Sequence, residues 1–294
     1  MIAKTPLGVP FFDAAYGGVY QGRSTLVTGR TNTGKTVMAF QFLRQGLQQD
    51  ERCLMLSTRQ AADLTICADS LGLPISNAVE AENLILLEYS DFVFGMDRTD
   101  AVNLPADGFN QLKEVIETHS IRRVVIDTIV PWVAIQDVEH LGQYALSFAR
   151  AFDRLGTTTL MTLPKPVSAM AHRLRKILEE IIPICIYLNP SEKSDRLLFQ
   201  VTKYLGEKKP GPPIEYDIVN GLGLTELSAE PPPPAAPAAG PAAAARKMTP
   251  SRPSMPAGGE APSGPRINFS SVMPGLRTDE IPRGPGGQGE PPGR

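Results

Sequence analysis

The sequence lacks any excess of basic residues. Its 29 Lys and Arg are balanced by 31 Asp and Glu, so the 294 residues carry a formal net charge of −2. A protein that binds duplex nucleic acid needs a broad cationic surface to neutralise the phosphates. The composition therefore argues against nucleic acid as a partner.

Cysteine, histidine and long apolar runs are also scarce. The three Cys and three His are scattered, without the spacing of a metal site or a disulfide framework, so we expect buried reduced thiols and no zinc. The longest apolar run, residues 124–135, is interrupted by Asp127 and Pro131 and is too short to span a bilayer. The amino terminus has no apolar core typical of a secretory signal. We expect a cytoplasmic protein with no membrane segment.

The composition changes abruptly near residue 228. Sixteen of the 28 prolines fall in residues 228–294, among many Ala, Gly and Ser, which predicts a disordered tail. Within it, residues 267–282 (INFSSVMPGLRTDEIP) contain a group of apolar side chains. This segment is either coil with scattered apolar residues or a short motif that docks on a protein partner.

Residues 1–227 alternate between apolar runs and helical patterns, which predicts one α/β domain with a mainly parallel sheet flanked by helices. The last four apolar runs follow one another with turns between them, so we expect antiparallel strands at the carboxyl-terminal edge of the sheet. The predicted strands are STLVT, RCLMLS, NLILLEY, RRVVIDTIV, TTTLMTL, ICIYLN, RLLFQVTKYLG, PIEYDIV and GLTEL.

A glycine-rich motif, GRTNTGKT at residues 29–36, follows the first of these strands and opens a helix. This context is typical of a phosphate-binding loop, whose amides point inward at the positive end of the helix. Lys35 is expected to reach the β- and γ-phosphates, and the Thr36 hydroxyl to ligate Mg²⁺. Asn32 occupies a position where glycine is common, but Asn tolerates the left-handed conformation well.

A second metal partner is expected at the end of another buried strand. Asp127 ends the apolar run RRVVID about 90 residues after the loop, and its carboxylate is predicted to hold Mg²⁺ or a water bound to it. The predicted nucleotide-binding residues are Gly29, Arg30, Thr31, Asn32, Thr33, Gly34, Lys35, Thr36 and Val37, and the predicted metal ligands are Thr36 and Asp127.

Several spaced segments together resemble a KaiC domain, the ATPase module of the RecA superfamily found in the circadian clock protein and its relatives. They are the Phe-Asp before Gly17 and Gly18, the run GRSTLV, the loop, the QFL after it and RRVVIDT. The resemblance extends over residues 1–227. It implies a RecA-like P-loop fold, ATP with Mg²⁺, and a ring-shaped homohexamer with nucleotide between subunits.

This sequence departs from the pattern of the family at two places that bear on ATP hydrolysis. Members of the family often carry a Lys and an Arg, two residues apart, that reach the neighbour's γ-phosphate; Lys203 matches the first, but Leu205 replaces the second. The second strand of such domains ends in a glutamate pair that activates water, and here Arg59 and Gln60 stand there. The alternative is that the alignment is shifted by a residue or two and another acid substitutes, Asp63 being the nearest candidate. The fifth strand points the same way, because Lys165 rather than an acid follows it.

These departures lead to a functional hypothesis. The protein binds ATP, hydrolyses it weakly or not at all, and acts as a nucleotide-gated oligomeric scaffold or regulator whose tail recruits a protein. The alternative is an active ATPase acting on DNA, similar to RecA and RadA, which the basic helix pattern at residues 164–180 keeps open. The autokinase activity of the clock protein needs a second domain for which this chain has no room.

Overall fold

The alternation seen in the sequence becomes one nine-stranded sheet with helices on its faces, and a separate two-stranded sheet forms near the amino terminus. The structure is a computed structural model, and it describes residues 3–88, 106–130, 141–192 and 195–227. The predicted tail and its candidate docking motif at 267–282 lie outside these residues, as does the end of the segment after Asp127. Within the described ranges, no helix has both the length and the apolar content that crossing a bilayer requires.

The strands are β1 (Lys4–Thr5), β2 (Val19–Tyr20), β3 (Ser24–Gly29), β4 (Cys53–Ser57), β5 (Leu84–Glu88), β6 (Arg123–Asp127), β7 (Thr158–Pro164), β8 (Ile184–Pro190), β9 (Leu197–Tyr204), β10 (Ile214–Val219) and β11 (Gly223–Glu226). The helices are α1 (Pro10–Tyr16), α2 (Lys35–Leu47), α3 (Ala61–Ser70), α4 (Ser76–Glu80), α5 (Ala106–Thr118), α6 (Leu141–Leu155) and α7 (Ala169–Ile181).

The sheet confirms the predicted mixture of parallel and antiparallel strands. Its order is β11-β10-β9-β8-β3-β7-β6-β4-β5. From β8 to β5 the neighbours run parallel, whereas β9, β10 and β11 are antiparallel additions at one edge. β3 and β4 are buried along their whole length, as expected for parallel strands covered on both faces. The RecA-like α/β fold inferred from the sequence is thus confirmed.

Four short elements were not predicted from the sequence, namely β1, β2, α1 and α4. Helix α1 begins with Pro10 in its first turn and ends before Gly17, which has a left-handed φ of 70°. Proline at the start and glycine just past the end are ordinary helix boundary signals. They could have revealed this helix.

One buried arginine ties the amino-terminal segment to the domain core. Arg123, the first residue of β6, has no exposed surface. Its guanidinium forms an ion pair with the Glu51 carboxylate. It also donates to Thr5 Oγ1 at 2.7 Å and to Gln49 Oε1 at 2.6 Å. A buried cation is tolerated because each of these acceptors offsets part of its lost hydration.

The same side chain also fixes how closely α2 approaches β6. The guanidinium carbon lies 4.8 Å from the centre of the Phe42 ring, and Nη1 donates to the Phe42 carbonyl at 3.3 Å. A Cβ atom placed on Gly46 would lie 2.4 Å from Arg123 Cδ. Glycine is therefore required at this point of the helix for the arginine to fit.

Replacing Arg123 by Met is expected to lower the free energy of unfolding by about 3 kcal/mol, because Glu51 and Gln49 lose their donor inside the protein. Urea unfolding followed by circular dichroism measures this change. Arg122→Met is the matched control, since the neighbouring Arg122 side chain is exposed. Equal midpoints for the two variants would contradict the structural role given to Arg123.

Candidate nucleotide and metal site

The glycine-rich loop connects the carboxyl end of β3 to the amino end of α2. Asn32 has a φ of 60° and Gly34 a φ of 82°, so both lie in the left-handed region. This confirms the expectation that Asn32 adopts the conformation that glycine would otherwise supply. At Gly29 an added Cβ would lie 2.4 Å from the Leu188 carbonyl oxygen of β8, so the neighbouring strand excludes a side chain there.

The main-chain amides of this loop are free to bind an anion. In the described part of the chain, no acceptor is found for the N–H groups of residues 31–37, and the first bond of the helix runs from the Met38 amide to the Gly34 carbonyl. These donors lie at the positive end of a 13-residue helix. Free amides and a helix dipole together form the arrangement that binds phosphate groups.

Lys35 lies inside this group of amides. Its half-buried ammonium donates to the Arg30 carbonyl at 2.6 Å and to the Gly29 carbonyl at 3.1 Å. Burial lowers the pKa of Lys35, and the nearby Asp127 carboxylate partly opposes that shift. Two neutral carbonyl oxygens of the loop thus hold the Lys35 ammonium against it.

Thr36 and Asp127, the two predicted metal ligands, are in direct contact. The Thr36 hydroxyl donates to Asp127 Oδ2 at 2.9 Å. The other carboxylate oxygen, Oδ1, accepts a 2.5 Å hydrogen bond from the hydroxyl of Thr162. Thr162 was missed by the sequence analysis, because the run TTTLMTL does not show which of its threonines ends beside Asp127.

A hairpin formed by β10 and β11 packs against the loop from the far edge of the sheet. The buried Tyr216 donates from its hydroxyl to the Thr33 carbonyl at 2.6 Å, and burial raises the pKa of this tyrosine well above its ordinary value. An added Cβ on Gly34 would lie 3.1 Å from Ile218 and 3.2 Å from Leu224. The hairpin therefore supports the loop directly, which the sequence did not reveal.

Arg59 and Gln60 lie at the same edge of the sheet as the metal ligands. Ser57, the last residue of β4, is paired with Asp127 in the neighbouring strand. The Arg59 amide donates to the Ser57 hydroxyl at 3.1 Å, and Gln60 is the N-cap residue of α3. Both side chains are exposed. The turn thus follows directly from the strand next to Asp127.

A protein-family model described as "ATPase: KaiC" matches residues 5–225. The chain belongs to the KaiC family of ATPases. Family membership implies nucleotide binding, which agrees with the loop, the free amides and the paired Thr36 and Asp127.

The chain is similar to cyanobacterial proteins named circadian clock oscillator protein KaiC. That of Prochlorococcus marinus (strain MIT 9313) is 29% identical over 167 residues, or 55% of this chain and 33% of that protein. That of Parathermosynechococcus lividus is 29% identical over 237 residues, or 79% and 40%. That of Thermosynechococcus vestitus is 26% identical over 236 residues, or 78% and 45%. The chain therefore spans less than half the length of these relatives.

One acid near the Arg59 turn was overlooked in the sequence. Glu88, at the end of β5, is paired with Ser57, and its Oε1 accepts a 2.7 Å hydrogen bond from the Ala61 amide in the first turn of α3. β5 lies one strand beyond β4, and thus about 4.8 Å further from the loop strand. Asp63 is exposed in the same turn. Glu88 thus serves as a cap for α3 in this KaiC-family domain.

Lys203 is not brought to the loop of its own chain. Its ammonium donates to the Glu179 carbonyl at 2.8 Å and to the Glu180 carbonyl at 2.9 Å, near the carboxyl end of α7, where a cation is favourable. Its expected role towards a neighbouring subunit stays a prediction and requires these bonds to break. Leu205 is 51% exposed. Lys165 lies nearer the loop, since its amide donates to the Gly29 carbonyl at 2.8 Å.

Of the basic segment at 164–180, residues 169–180 lie in α7, which is an amphipathic helix. Leu174 and Leu178 are buried, and Ile177 and Ile181 are half-buried. His172, Arg173 and Lys176 are exposed, while Arg175 is paired with Glu179 at 3.2 Å. The four apolar residues thus form the inward-facing side of the helix, and the basic residues lie mainly on its outer side.

The left-handed conformation of Asn32 gives a test of the loop geometry. Asn32→Gly is expected to change the free energy of unfolding by less than about 0.5 kcal/mol, whereas Asn32→Val is expected to lower it by about 1–2 kcal/mol, because a β-branched residue is strained at positive φ. Urea unfolding of the two variants in parallel makes the comparison. A valine variant as stable as the glycine variant would show that the loop does not have this conformation.

Proposed function

We propose that this KaiC-family domain binds ATP with Mg²⁺, hydrolyses it slowly or not at all, and uses nucleotide to set its assembly. The observation that carries this proposal is the set of unpaired amides at residues 31–37 beside Lys35 and the Thr36–Asp127 contact. These groups match what a triphosphate requires, namely several N–H donors, a cation and hard oxygen ligands for its metal.

The fit to phosphate rests on the hydrogen bonds that Lys35 makes within the domain. Its two partners are neutral carbonyl oxygens of Gly29 and Arg30. Hydrogen bonds from an ammonium to an anionic oxygen are about twice as strong as bonds between neutral groups. A phosphate oxygen would therefore compete well for this lysine without any large change in its position.

The fit to magnesium rests on two oxygen ligands that already lie together. The Thr36 hydroxyl and Asp127 Oδ2 are 2.9 Å apart, and hydroxyl and carboxylate oxygens are ligand types that Mg²⁺ prefers. Thr36 and Asp127 would hold the ion or its water shell. When bound, the ion neutralises charge on the β- and γ-phosphate oxygens.

The proposal of weak hydrolysis follows from the turn after β4. Arg59 cannot act as a general base, because a guanidinium offers hydrogen-bond donors and no acceptor. Gln60 can orient a water by hydrogen bonding but cannot act as a base. Glu88 accepts a hydrogen bond from the Ala61 amide, and its strand β5 lies one strand further than β4 from β3, which leads into the loop. Loss of a positioned base costs about 10²- to 10⁴-fold in rate.

The role as an oligomeric scaffold or regulator extends the resemblance to ring-forming ATPases. Without fast hydrolysis, ATP acts as a ligand that stabilises whichever assembly binds it more tightly. A homohexamer with nucleotide between subunits is the assembly that the resemblance implies. The segment at 267–282 is proposed to recruit a protein partner.

An ATP titration that follows light scattering and phosphate release together tests this function. Nucleotide is expected to increase the scattering mass while little phosphate is released, because binding and assembly do not need a general base. Lys35→Ala is the control and should weaken ATP binding at least 10-fold, since the ammonium is lost from the loop. Brisk phosphate release by the wild-type chain would overturn the scaffold proposal, and absence of ATP binding would overturn the whole function.

A second test restores acids at the turn. Arg59→Glu combined with Gln60→Glu is expected to raise ATP turnover about 10-fold or more, because a carboxylate then becomes available near the water-binding position. The control is Arg59→Ala combined with Gln60→Ala, which removes the arginine without adding a carboxylate and should not show this gain in turnover. If the glutamate variant binds ATP and gains no turnover, the assignment of this turn is wrong.

A further inference from the structure

Thr162 is a buried hydroxyl that points at the candidate metal ligand from a neighbouring strand. It lies near the end of β7, between β3 with the loop and β6 with Asp127. The residue has no exposed surface. Its Oγ1 donates to Asp127 Oδ1 at 2.5 Å, which is a short bond of the kind that hydroxyls make to carboxylates.

The backbone of Thr162 is joined to the same region. Its carbonyl accepts bonds from the Thr128 hydroxyl at 2.9 Å and from the Ile129 amide at 3.1 Å. The two residues directly after Asp127 are therefore attached to β7 as well. These contacts keep the Thr162 side chain and the Asp127 carboxylate in a fixed relative position.

The other threonines of this segment behave differently. The hydroxyls of Thr157 and Thr159 lie 3.1 Å apart, and Thr157 also donates to the Phe152 carbonyl at 3.4 Å. The Thr158 hydroxyl accepts from the Gly22 amide at 3.0 Å. Those hydroxyls bind at the start of the strand, whereas that of Thr162 binds a carboxylate in the candidate site.

The consequence concerns which carboxylate oxygen is available. The terminal torsion of Asp is broad, so an unrestrained carboxylate can present either oxygen. Since Thr162 occupies Oδ1, Oδ2 is left facing the Thr36 hydroxyl at 2.9 Å. Hydrogen bonds of this kind to a ligating group orient it and tune the affinity for the metal.

We propose that Thr162 is a positioning residue that selects the Asp127 oxygen presented to Mg²⁺ and thereby sets the affinity of the site for that ion. The inference rests on the proposed function, because it requires nucleotide and Mg²⁺ to bind here. It concerns the metal only. Binding of nucleotide through the loop amides and Lys35 does not involve Thr162.

The test compares Thr162→Val, which keeps the shape but removes the hydroxyl, with Thr162→Ser, which keeps the hydroxyl. The affinity for a fluorescent ATP analogue is measured in EDTA and across a Mg²⁺ titration. For the valine variant, the Mg²⁺ concentration that gives half of the increase in affinity for the analogue is expected to rise about 10-fold or more. Its affinity for the analogue in EDTA should be unchanged. The serine variant should stay within about twofold of wild type.

Thr159→Val is the matched control, because it removes another fully buried hydroxyl from the same strand. An equal Mg²⁺ shift in this control would show a general packing effect and overturn the inference, as would a valine variant at position 162 with wild-type Mg²⁺ dependence. If Thr162→Val does not fold, a 10-fold Mg²⁺ shift in Thr162→Ser would overturn it instead. A wild-type chain that binds no analogue at all would instead refute the proposed function, and the inference with it.

Discussion

The attachment of α2 to β6 at both ends is the constraint on which the candidate site depends. At the start of β6, the buried Arg123 donates to the Phe42 carbonyl of α2 and to Gln49 just after that helix. At the end of β6, Asp127 accepts from Thr36 in the first turn of the helix. Two bonded ends leave a rigid helix little freedom to slide or rotate over the strand. The position of the loop amides relative to Asp127 is thereby fixed by contacts within the domain.

In the proposed function, ligand binding would exchange hydrogen bonds that the domain makes within itself rather than create the site. Lys35 is already bound to carbonyl oxygens of the loop, and Thr36 to the carboxylate. Each exchange to a phosphate or a metal costs less ordering entropy than it would in a disordered loop. The Tyr216 bond to the Thr33 carbonyl adds a further restraint from the far edge of the sheet. The site is therefore preorganised by residues distant from it in sequence.

The parts predicted from the sequence are those encoded by consecutive residues. Buried parallel strands appear as apolar runs, the loop is one contiguous motif, and the left-handed Asn32 follows from the residue type. Thr162, Glu88 and Tyr216 were missed, because their roles come from contacts between segments far apart in the chain. Thr162, for example, reaches Asp127 across 35 positions. No local pattern shows which hydroxyl of a threonine-rich strand will meet a carboxylate.

In the proposed function, the charge around the Arg59 turn would favour retention of a bound anion over its cleavage. The positive end of α3 points to the same edge of the sheet as the loop, and Glu88 offsets it by accepting the Ala61 amide. Arg59 adds a fixed positive charge at this edge, which in the proposed function would attract the phosphates of bound ATP. Interactions that stabilise both states equally strengthen binding without accelerating the chemical step. Fast hydrolysis would also need a base that takes up the proton of the attacking water, and neither the Arg59 guanidinium nor the Gln60 amide can act as one.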